Sequence, residues 1–209
     1  MAYRYDCPCS PNAGSSGYPW PMLYLASQSP RRRELLAQLG VEHGVLEVEV
    51  EEVPQPGEPP ADYVSRVARA KAGAGLLRVV ANPGALVLGA DTEVVLGEVI
   101  YGKPVDVADA ARMLRELSGR RHRVLTAVWV LSAGREEHLL NETSVDFAPL
   151  SERDIEQYLQ SGEWRGKAGA YGIQGRAGAF IARVEGSYTG VMGLPVHETW
   201  MLLRRFAGH

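Results

Sequence analysis

Several residue types and patterns are scarce in this sequence, and each absence excludes a class of protein. The only cysteines are Cys7 and Cys9, one C-x-C pair that can neither build a disulfide framework nor supply the four ligands of a structural zinc site. No apolar run approaches the roughly 18 residues that a membrane-spanning helix needs. We therefore predict a protein of a reducing compartment, the cytoplasm, that does not enter a membrane.

Familiar catalytic signatures are also missing. The sequence has no G-x-x-x-x-G-K-S/T phosphate loop, no G-x-G-x-x-G at a strand–helix junction and no G-x-S-x-G elbow, and its five histidines show no H-E-x-x-H spacing. A net charge of −3 provides no general basic field for nucleic acid. We expect structural or exposed histidines, no nucleic-acid partner, and anion binding only at a local site.

What the sequence does contain fits one sizeable domain. Its 209 residues, 45% hydrophobic and 22% charged, are enough to bury a core. Residues 1–21 have no continuous apolar stretch, so we interpret them as a flexible leader outside the native domain rather than a signal peptide. Met22 directly precedes the first strand-like run, and we predict a single domain over residues 22–209.

Alternation and helical spacing predict strands and helices that mix without a strict strand–helix–strand repeat. The fold class is therefore α/β with a mixed sheet rather than a doubly wound parallel one. The predicted strands cover residues 23–26, 45–53, 86–90, 94–101 (a hairpin turning at residues 97–98), 123–131, 138–147 and 179–184. The predicted helices cover residues 30–39, 61–75, 106–117 and 196–207, with a further helix capped by Ser151.

The stretch LASQSPRRRELLAQLG, residues 25–40, predicts a helix with an unusual beginning. Ser29 suits the N-cap because its hydroxyl can accept from free amides of the first turn, and the following proline suits the first helical position. Arg31 and Arg32, however, lie at the positive end of the helix dipole, where acidic residues are preferred. The stretch is either a solvated basic turn or, with the hydroxyls of Ser27 and Ser29, an anion site.

Other polar residues allow both a chemical and a structural interpretation. The GADT stretch places Asp91 at the end of an apolar strand, where ligand crevices open in α/β folds, although a turn aspartate is equally typical. Glu51 or Glu52 could join Asp91 around a hard divalent cation, or could simply belong to a solvated strand face. Lys71 follows a buried helical stripe and either enters a cleft or reaches solvent.

Two further segments hold polar groups at fixed positions. Lys103, in YGKP, precedes a proline and is therefore restricted to an extended conformation. The loop KAGAYGIQG, residues 167–175, carries one amide side chain, Gln174, among glycines that let a backbone approach a flat ligand closely. A flexible surface loop is the alternative, but Tyr171 and Ile173 favour packing.

Four of these motifs, LASQSPRRRELL, GADT, GKP and KAGAYGIQG, occur in this order and together resemble the Maf family of nucleoside triphosphate pyrophosphatases. The resemblance covers residues 23–206, and the last motif is similar to the subgroup that acts on dTTP and UTP. It implies an α/β fold like that of inosine triphosphatases, with an elongated mixed sheet and two lobes around a cleft. It also implies hydrolysis of the α–β phosphate bond, with Mg²⁺ or Mn²⁺ as cofactor.

The resemblance also implies roles for individual residues. Asp91 would be the proton acceptor and a metal ligand together with Glu52, for which Glu51 is the competitor. The substrate-binding and specificity residues would be Ser27, Ser29, Arg31, Arg32, Lys71, Thr92, Lys103 and Gln174. A nucleoside triphosphate is the expected partner, and a homodimer is one assembly that the family allows.

The resemblance leads to an expectation about the Gln174 amide and to an alternative function. Discrimination of pyrimidines by Gln174 requires a fixed amide, and we expect backbone groups of the glycine loop to fix it. The alternative function is a nucleotide-binding regulator of cell division or septum formation without important turnover. An intact Asp91 and a full set of basic residues argue against that alternative.

Overall fold

The computed structural model describes residues 22–206; the leader predicted for residues 1–21 lies outside the described residues. Within the described range the strands are β1 (Leu23–Ala26), β2 (His43–Leu46), β3 (Leu86–Leu96), β4 (Val99–Tyr101), β5 (Arg121–Leu131), β6 (Glu136–Phe147) and β7 (Ile181–Glu185). The helices are α1 (Pro30–Gln38), α2 (Pro60–Arg78), α3 (Val107–Leu117), α4 (Glu152–Ser161), α5 (Tyr188–Met192) and α6 (Val196–Phe206). None of these helices is both long and apolar enough to cross a membrane.

The strands form one mixed sheet in the order β2-β1-β3-β5-β6-β7, and β4 pairs with β3. β1 is parallel to β2 and to β3, whereas the pairs β3–β4, β3–β5, β5–β6 and β6–β7 are antiparallel. The prediction of a mixed rather than doubly wound sheet is confirmed.

One face of the sheet carries two separate core clusters. The first contains Leu88 and Ala90 of β3 and packs against α1 and α6, whereas the second contains Val94 and packs against α3 and α4. Thr92 lies between them on the same face, opposite Thr126 of β5, and the two hydroxyl oxygens are 3.0 Å apart. A polar layer therefore separates the two apolar clusters in the middle of the sheet.

Helix α2 covers the opposite face of β3 at very short range. Gly89 lies directly against α2, and an added Cβ at this position would be 2.5 Å from the backbone nitrogen of Ala72 and even closer to the carbonyl oxygen of Ala68. Because strand side chains alternate, Asp91 and Glu93 project from the same face as Gly89 and toward the side of α2. The close approach at Gly89 thus sets the distance between α2 and these carboxylates.

Two predicted strands differ from the observed ones. The strand predicted for residues 45–53 is β2, which begins earlier and ends at Leu46; residues 47–53, which carry the acidic alternation, pair with no strand in the described part of the chain, and their backbone is irregular. The strand predicted to end at Asp91 continues to Leu96, because the β-favouring residues that follow Asp91 pair with β5 throughout. Asp91 therefore lies in the middle of a strand, not at its end.

Several helix ends agree with the sequence. Ser151 forms the capping box of α4 with Asp154, and Gly162 ends that helix in the left-handed conformation at φ 72°. Ser29 occupies the N-cap position of α1, but its hydroxyl makes no capping hydrogen bond, so that part of the prediction is wrong. The five-residue helix α5 was not predicted; the loop of residues 167–175 contains the 3₁₀ turn Ala168–Ala170, and a second 3₁₀ turn, Arg176–Phe180, follows the loop.

Candidate functional site

The candidate site lies at a gap along one edge of β3. On this edge β1 pairs with β3 only as far as Gly89, and β4 begins to pair only at Val94. Residues 90–93 thus have no strand beside them on that edge in the part of the chain that the structure describes. At ~3.3 Å per residue, these four residues leave a gap of about 13 Å. The crevice opens because β1 stops early, not because β3 ends.

A cavity of about 600 Å³ lies at this gap. The structure brings every residue of the predicted site to its wall: Ser27, Ser29, Arg31, Arg32, Glu52, Lys71, Asp91, Thr92, Lys103 and Gln174. Glu51, the competitor of Glu52, is exposed and does not line the cavity. A volume of this size is in the usual range for small-molecule sites.

Lysines and carboxylates alternate along one wall of the cavity. Lys103 Nζ lies 2.6 Å from Glu52 Oε2, and Lys71 Nζ lies 2.6 Å from Glu52 Oε1. Lys71 Nζ also donates to Asp91 Oδ1 at 2.8 Å. Burial alone would raise the pKa of Glu52, but hydrogen bonds from Lys103 and Lys71 outweigh burial and lower the pKa to about 2. The sequence left open whether Lys71 reaches solvent; the lysine is buried and enters the cleft.

Arg32 forms the opposite wall and is held by three partners within the protein. Its guanidinium donates from Nε to the carbonyl oxygen of Gly193 at 2.9 Å, from Nη1 to Ser27 Oγ at 3.3 Å and from Nη2 to Thr92 Oγ1 at 3.1 Å. Burial lowers the pKa of Arg32, and the nearby Asp91 opposes this effect. The arginine at the positive end of the α1 dipole is thus explained in part by hydrogen-bond acceptors within the protein.

The other arginines of α1 have different surroundings. Arg31 lines the cavity and donates from Nε to the carbonyl oxygen of Met192 at 3.4 Å, and partial burial lowers its pKa. Arg33 is exposed and does not line the cavity. The basic turn therefore contributes two of its three cations to the site.

The glycine-rich loop closes one end of the cavity and is packed rather than loose. Tyr171 is buried, and its hydroxyl lies 2.8 Å from Nε2 of the buried His122 on β5. Lys167 Nζ donates to the carbonyl oxygen of Glu163, and the carboxylate of Glu163 accepts from the backbone nitrogen of Arg176 at 2.9 Å. Both ends of the loop are therefore held by a single residue, Glu163, which sequence reasoning did not identify.

The loop presents Gln174 to the cavity on an exposed position. Within residues 22–206 its side-chain amide makes no hydrogen bond, so the expected fixation by loop backbone groups is not found there. Lys167 also lines the cavity, and burial together with the nearby Arg31 lowers its pKa. This end of the cavity is polar and cationic.

Sequence reasoning missed a buried carboxylate of the cavity wall. Glu93 is only 7% exposed, lines the cavity, and makes no hydrogen bond or ion pair with any described residue. Burial and the nearby Asp91 raise the pKa of Glu93 to about 8. Strand alternation two residues beyond Asp91 would have indicated it, had β3 been predicted at its full length.

The possible metal ligands at this wall are carboxylate oxygens, and a hard divalent cation prefers oxygen ligands of this kind. Asp91 Oδ2 and Glu93 Oε2 are buried and have no partner in the described residues. No group of three or more His, Cys, Asp or Glu side chains in residues 22–206 is arranged to enclose a metal ion. The arrangement thus suits magnesium-type binding, in which one or two carboxylates act together with water and phosphate oxygens.

Comparisons with known proteins find relatives that match most of this chain. A protein from Cupriavidus pinatubonensis named dTTP/UTP pyrophosphatase is 56% identical over 191 residues, which cover 88% of this chain and 96% of that protein. A protein of the same name from Xanthomonas axonopodis pv. citri is 55% identical over 190 residues and is covered completely, with 90% of this chain. The solved structure of the Staphylococcus aureus Ham1 protein is a distant match, with a TM-score of 0.41 and 13% identity over 61% of this chain and 72% of that chain.

The match to a family model has the same extent as the described fold. The model with the description "Maf-like protein" covers residues 22–206, from the residue before β1 to the end of α6. It thus includes both core clusters and the whole cavity wall between them. On this match and on the identities above, the chain belongs to the Maf family.

Proposed function

We propose that this protein is a nucleoside triphosphate pyrophosphatase that hydrolyses UTP and dTTP to the monophosphate and pyrophosphate. The observation that carries the proposal is the row Lys103–Glu52–Lys71–Asp91 along one wall of a cavity of nucleotide size. The names of the relatives support the same substrates.

The cationic side chains of the cavity suit a triphosphate. Arg31 of α1, Lys71 of α2 and Lys103 of the loop after β4 line it, so they can contact several phosphate oxygens at once. Phosphoryl transfer depends mainly on positioning and on stabilisation of charge at these oxygens. Glu52, held between the two lysines, spaces them along the wall.

Asp91 is the residue that we assign as proton acceptor. Lys71 binds its Oδ1 and thereby orients the carboxylate, whereas Oδ2 has no partner in the described residues. A water molecule held at this carboxylate would lose its proton to Asp91 as its oxygen attacks a phosphorus of the α–β link, and the P–O bond of that link would break to give the monophosphate and pyrophosphate. General-base assistance of this kind is typically worth about a hundred- to ten-thousand-fold.

Mg²⁺ or Mn²⁺ is the cofactor that the family resemblance implies, with Asp91 and Glu52 as its carboxylates. When bound, a divalent cation would neutralise the negative charge that develops on the phosphate oxygens. The carboxylate oxygens of the wall suit such an ion, as described above.

Gln174 is the residue that we assign to base recognition. Uracil and thymine present an N3–H donor between two carbonyl acceptors, and an amide side chain offers one acceptor and two donors. Thr92 is held between Arg32 and Thr126, so its contribution to specificity is to fix the wall next to the substrate.

The test is release of pyrophosphate from UTP, dTTP, CTP, the purine triphosphates and 7-methyl-GTP, with Mg²⁺ or Mn²⁺ present. We expect UTP and dTTP to react fastest and Asp91→Asn to lower kcat by at least about a hundred-fold, the low end for a general base, while remaining folded. Asp62→Asn, a change of the same kind at an exposed position of α2, is the matched control. Release of orthophosphate, or tight nucleotide binding without turnover, would contradict the proposal.

A further inference from the structure

The two carboxylates that the resemblance implies for the metal are not equally free to bind one. Both oxygens of Glu52 are already engaged, Oε1 by Lys71 and Oε2 by Lys103, each at 2.6 Å. A cation at Glu52 would have to displace or approach two ammonium groups. The structure therefore gives Glu52 the role of holding the lysines.

Among the described residues, the buried carboxylate oxygens of the cavity wall that have no partner belong to Asp91 and Glu93. Asp91 Oδ2 and Glu93 Oε2 have no partner in the described residues, and the two residues are only 5% and 7% exposed. A buried carboxylate without a partner is costly, so it calls for a compensating cation. Asp91 is already paired with Lys71 through Oδ1, whereas Glu93 has no partner in the described residues, so a cation shared by the two would compensate Glu93 most.

Their placement lets them share one ion. Asp91 and Glu93 are two residues apart in β3 and therefore project from the same face, with Cα atoms about 7 Å apart. The glutamate is one methylene longer, so its carboxylate can converge with that of the aspartate. Glu93 Oε2 lies near Gly102, because a Cβ added at Gly102 would be 3.9 Å from this oxygen. Gly102 directly precedes Lys103, one of the lysines that line the cavity.

We propose that Asp91 and Glu93, rather than Asp91 and Glu52, are the carboxylates that bind the divalent cation of this site. Water and phosphate oxygens complete its coordination, as is usual for Mg²⁺ bound by one or two carboxylates. Asp91 offers about four lone-pair positions, so it can bind Lys71 and the cation and still accept a proton. The proposal rests on the proposed function in one respect only: the bound cation would contact the phosphates of a nucleoside triphosphate.

The test is Mn²⁺ binding, measured by calorimetry and by electron paramagnetic resonance, alone and with a UTP analogue that has a non-hydrolysable imido α–β link. Loss of an outer-shell partner already weakens metal binding by about 10- to 100-fold, so loss of a direct ligand in Glu93→Gln should weaken it by at least about tenfold. Glu52→Gln should weaken it much less. Glu98→Gln, an exposed glutamate of the β3–β4 turn, is the matched control and should bind Mn²⁺ as the unmodified protein does.

Thermal unfolding separates loss of a ligand from loss of the fold. Glu93→Gln is a neutral isostere at a buried position, so we expect it to fold with an unchanged or higher Tm. Unchanged Mn²⁺ affinity in Glu93→Gln, or a loss in Glu52→Gln as large as in Glu93→Gln, would overturn the proposal. Binding of Mn²⁺ through Glu93 without release of pyrophosphate would contradict the proposed function and leave the cation site intact.

Discussion

Arg32 donates from Nε to the carbonyl oxygen of Gly193 at 2.9 Å, across 161 residues of sequence. The contact joins α1 to the turn after α5, and the rest of the guanidinium reaches Ser27 and Thr92. A single side chain thus fixes three segments around the cavity.

Arg32→Lys should therefore be damaging although it keeps the charge. A lysine cannot reproduce the planar fork, and it leaves buried acceptors unpaired, at a cost of about 1–3 kcal/mol in the free energy of unfolding. We expect a lower midpoint in urea and a fall in kcat/KM. Arg33→Lys, at an exposed position of the same helix turn, should leave both values near those of the unmodified protein.

Changes at Gln174 test its role in base choice. Gln174→Ala should lower kcat/KM for UTP and dTTP by about ten- to a hundred-fold, the cost of leaving polar groups of the base unpaired. Gln174→Glu offers acceptors only, so it should shift preference toward CTP, whose exocyclic amine is a donor. The measurement is kcat/KM for UTP, dTTP and CTP, with the exposed Gln157→Ala as control. A constant UTP-to-CTP ratio in both variants would remove Gln174 from base recognition.

Gly89→Ala tests the spacing between α2 and β3. The new methyl group would overlap the backbone of α2 at Ala68 and Ala72, which cannot move as a flexible side chain could. We expect the free energy of unfolding to fall by about 1–3 kcal/mol, which is typical of overpacking. We also expect kcat to fall, because a displaced α2 would carry Lys71 away from Asp91. Gly134→Ala, where an added methyl meets nothing within 4 Å, is the control. An unchanged kcat would show that the spacing does not matter for catalysis.

His122 should make stability depend on pH. Burial lowers the pKa of His122 from 6.5 to about 4, so between these values the unfolded chain binds a proton that the folded protein excludes. The stabilising contribution is complete above pH 6.5 and is lost as the pH falls toward 4, at most about 3 kcal/mol. Tm measured from pH 7 to 4 should fall more steeply in the unmodified protein than in His122→Gln. The exposed His197→Gln serves as control; parallel curves for His122→Gln and the unmodified protein would contradict this assignment.

Much of the fold could be predicted from local sequence signals. The capping box at Ser151, the proline at the first position of α1 and the alternation in β6 each act within a few residues, and the structure contains all of them. The ends of β2 and β3 could not be predicted in this way. The length of a strand depends on the partners with which it pairs, and the neighbours of β3 come from distant parts of the chain.

The candidate site was likewise predictable from the sequence only in part. Motif resemblance identified residues such as Asp91, Lys71 and Gln174, all of which line the cavity. It did not identify Glu93, whose position depends on the true length of β3, or Glu163, whose role comes from a contact with the backbone of Arg176. A residue whose role depends on a backbone contact or on the full length of a strand is not marked by a sequence motif.

The polar layer between the two core clusters has a consequence for unfolding. β3 and β5 run without interruption from one cluster, through Thr92 and Thr126, into the other. Neither half can lose its strands while the other keeps them, so the described chain should melt in one cooperative transition despite its divided core. A molecule bound at the middle of these strands would then stabilise both halves at once, by an amount set only by its concentration and affinity.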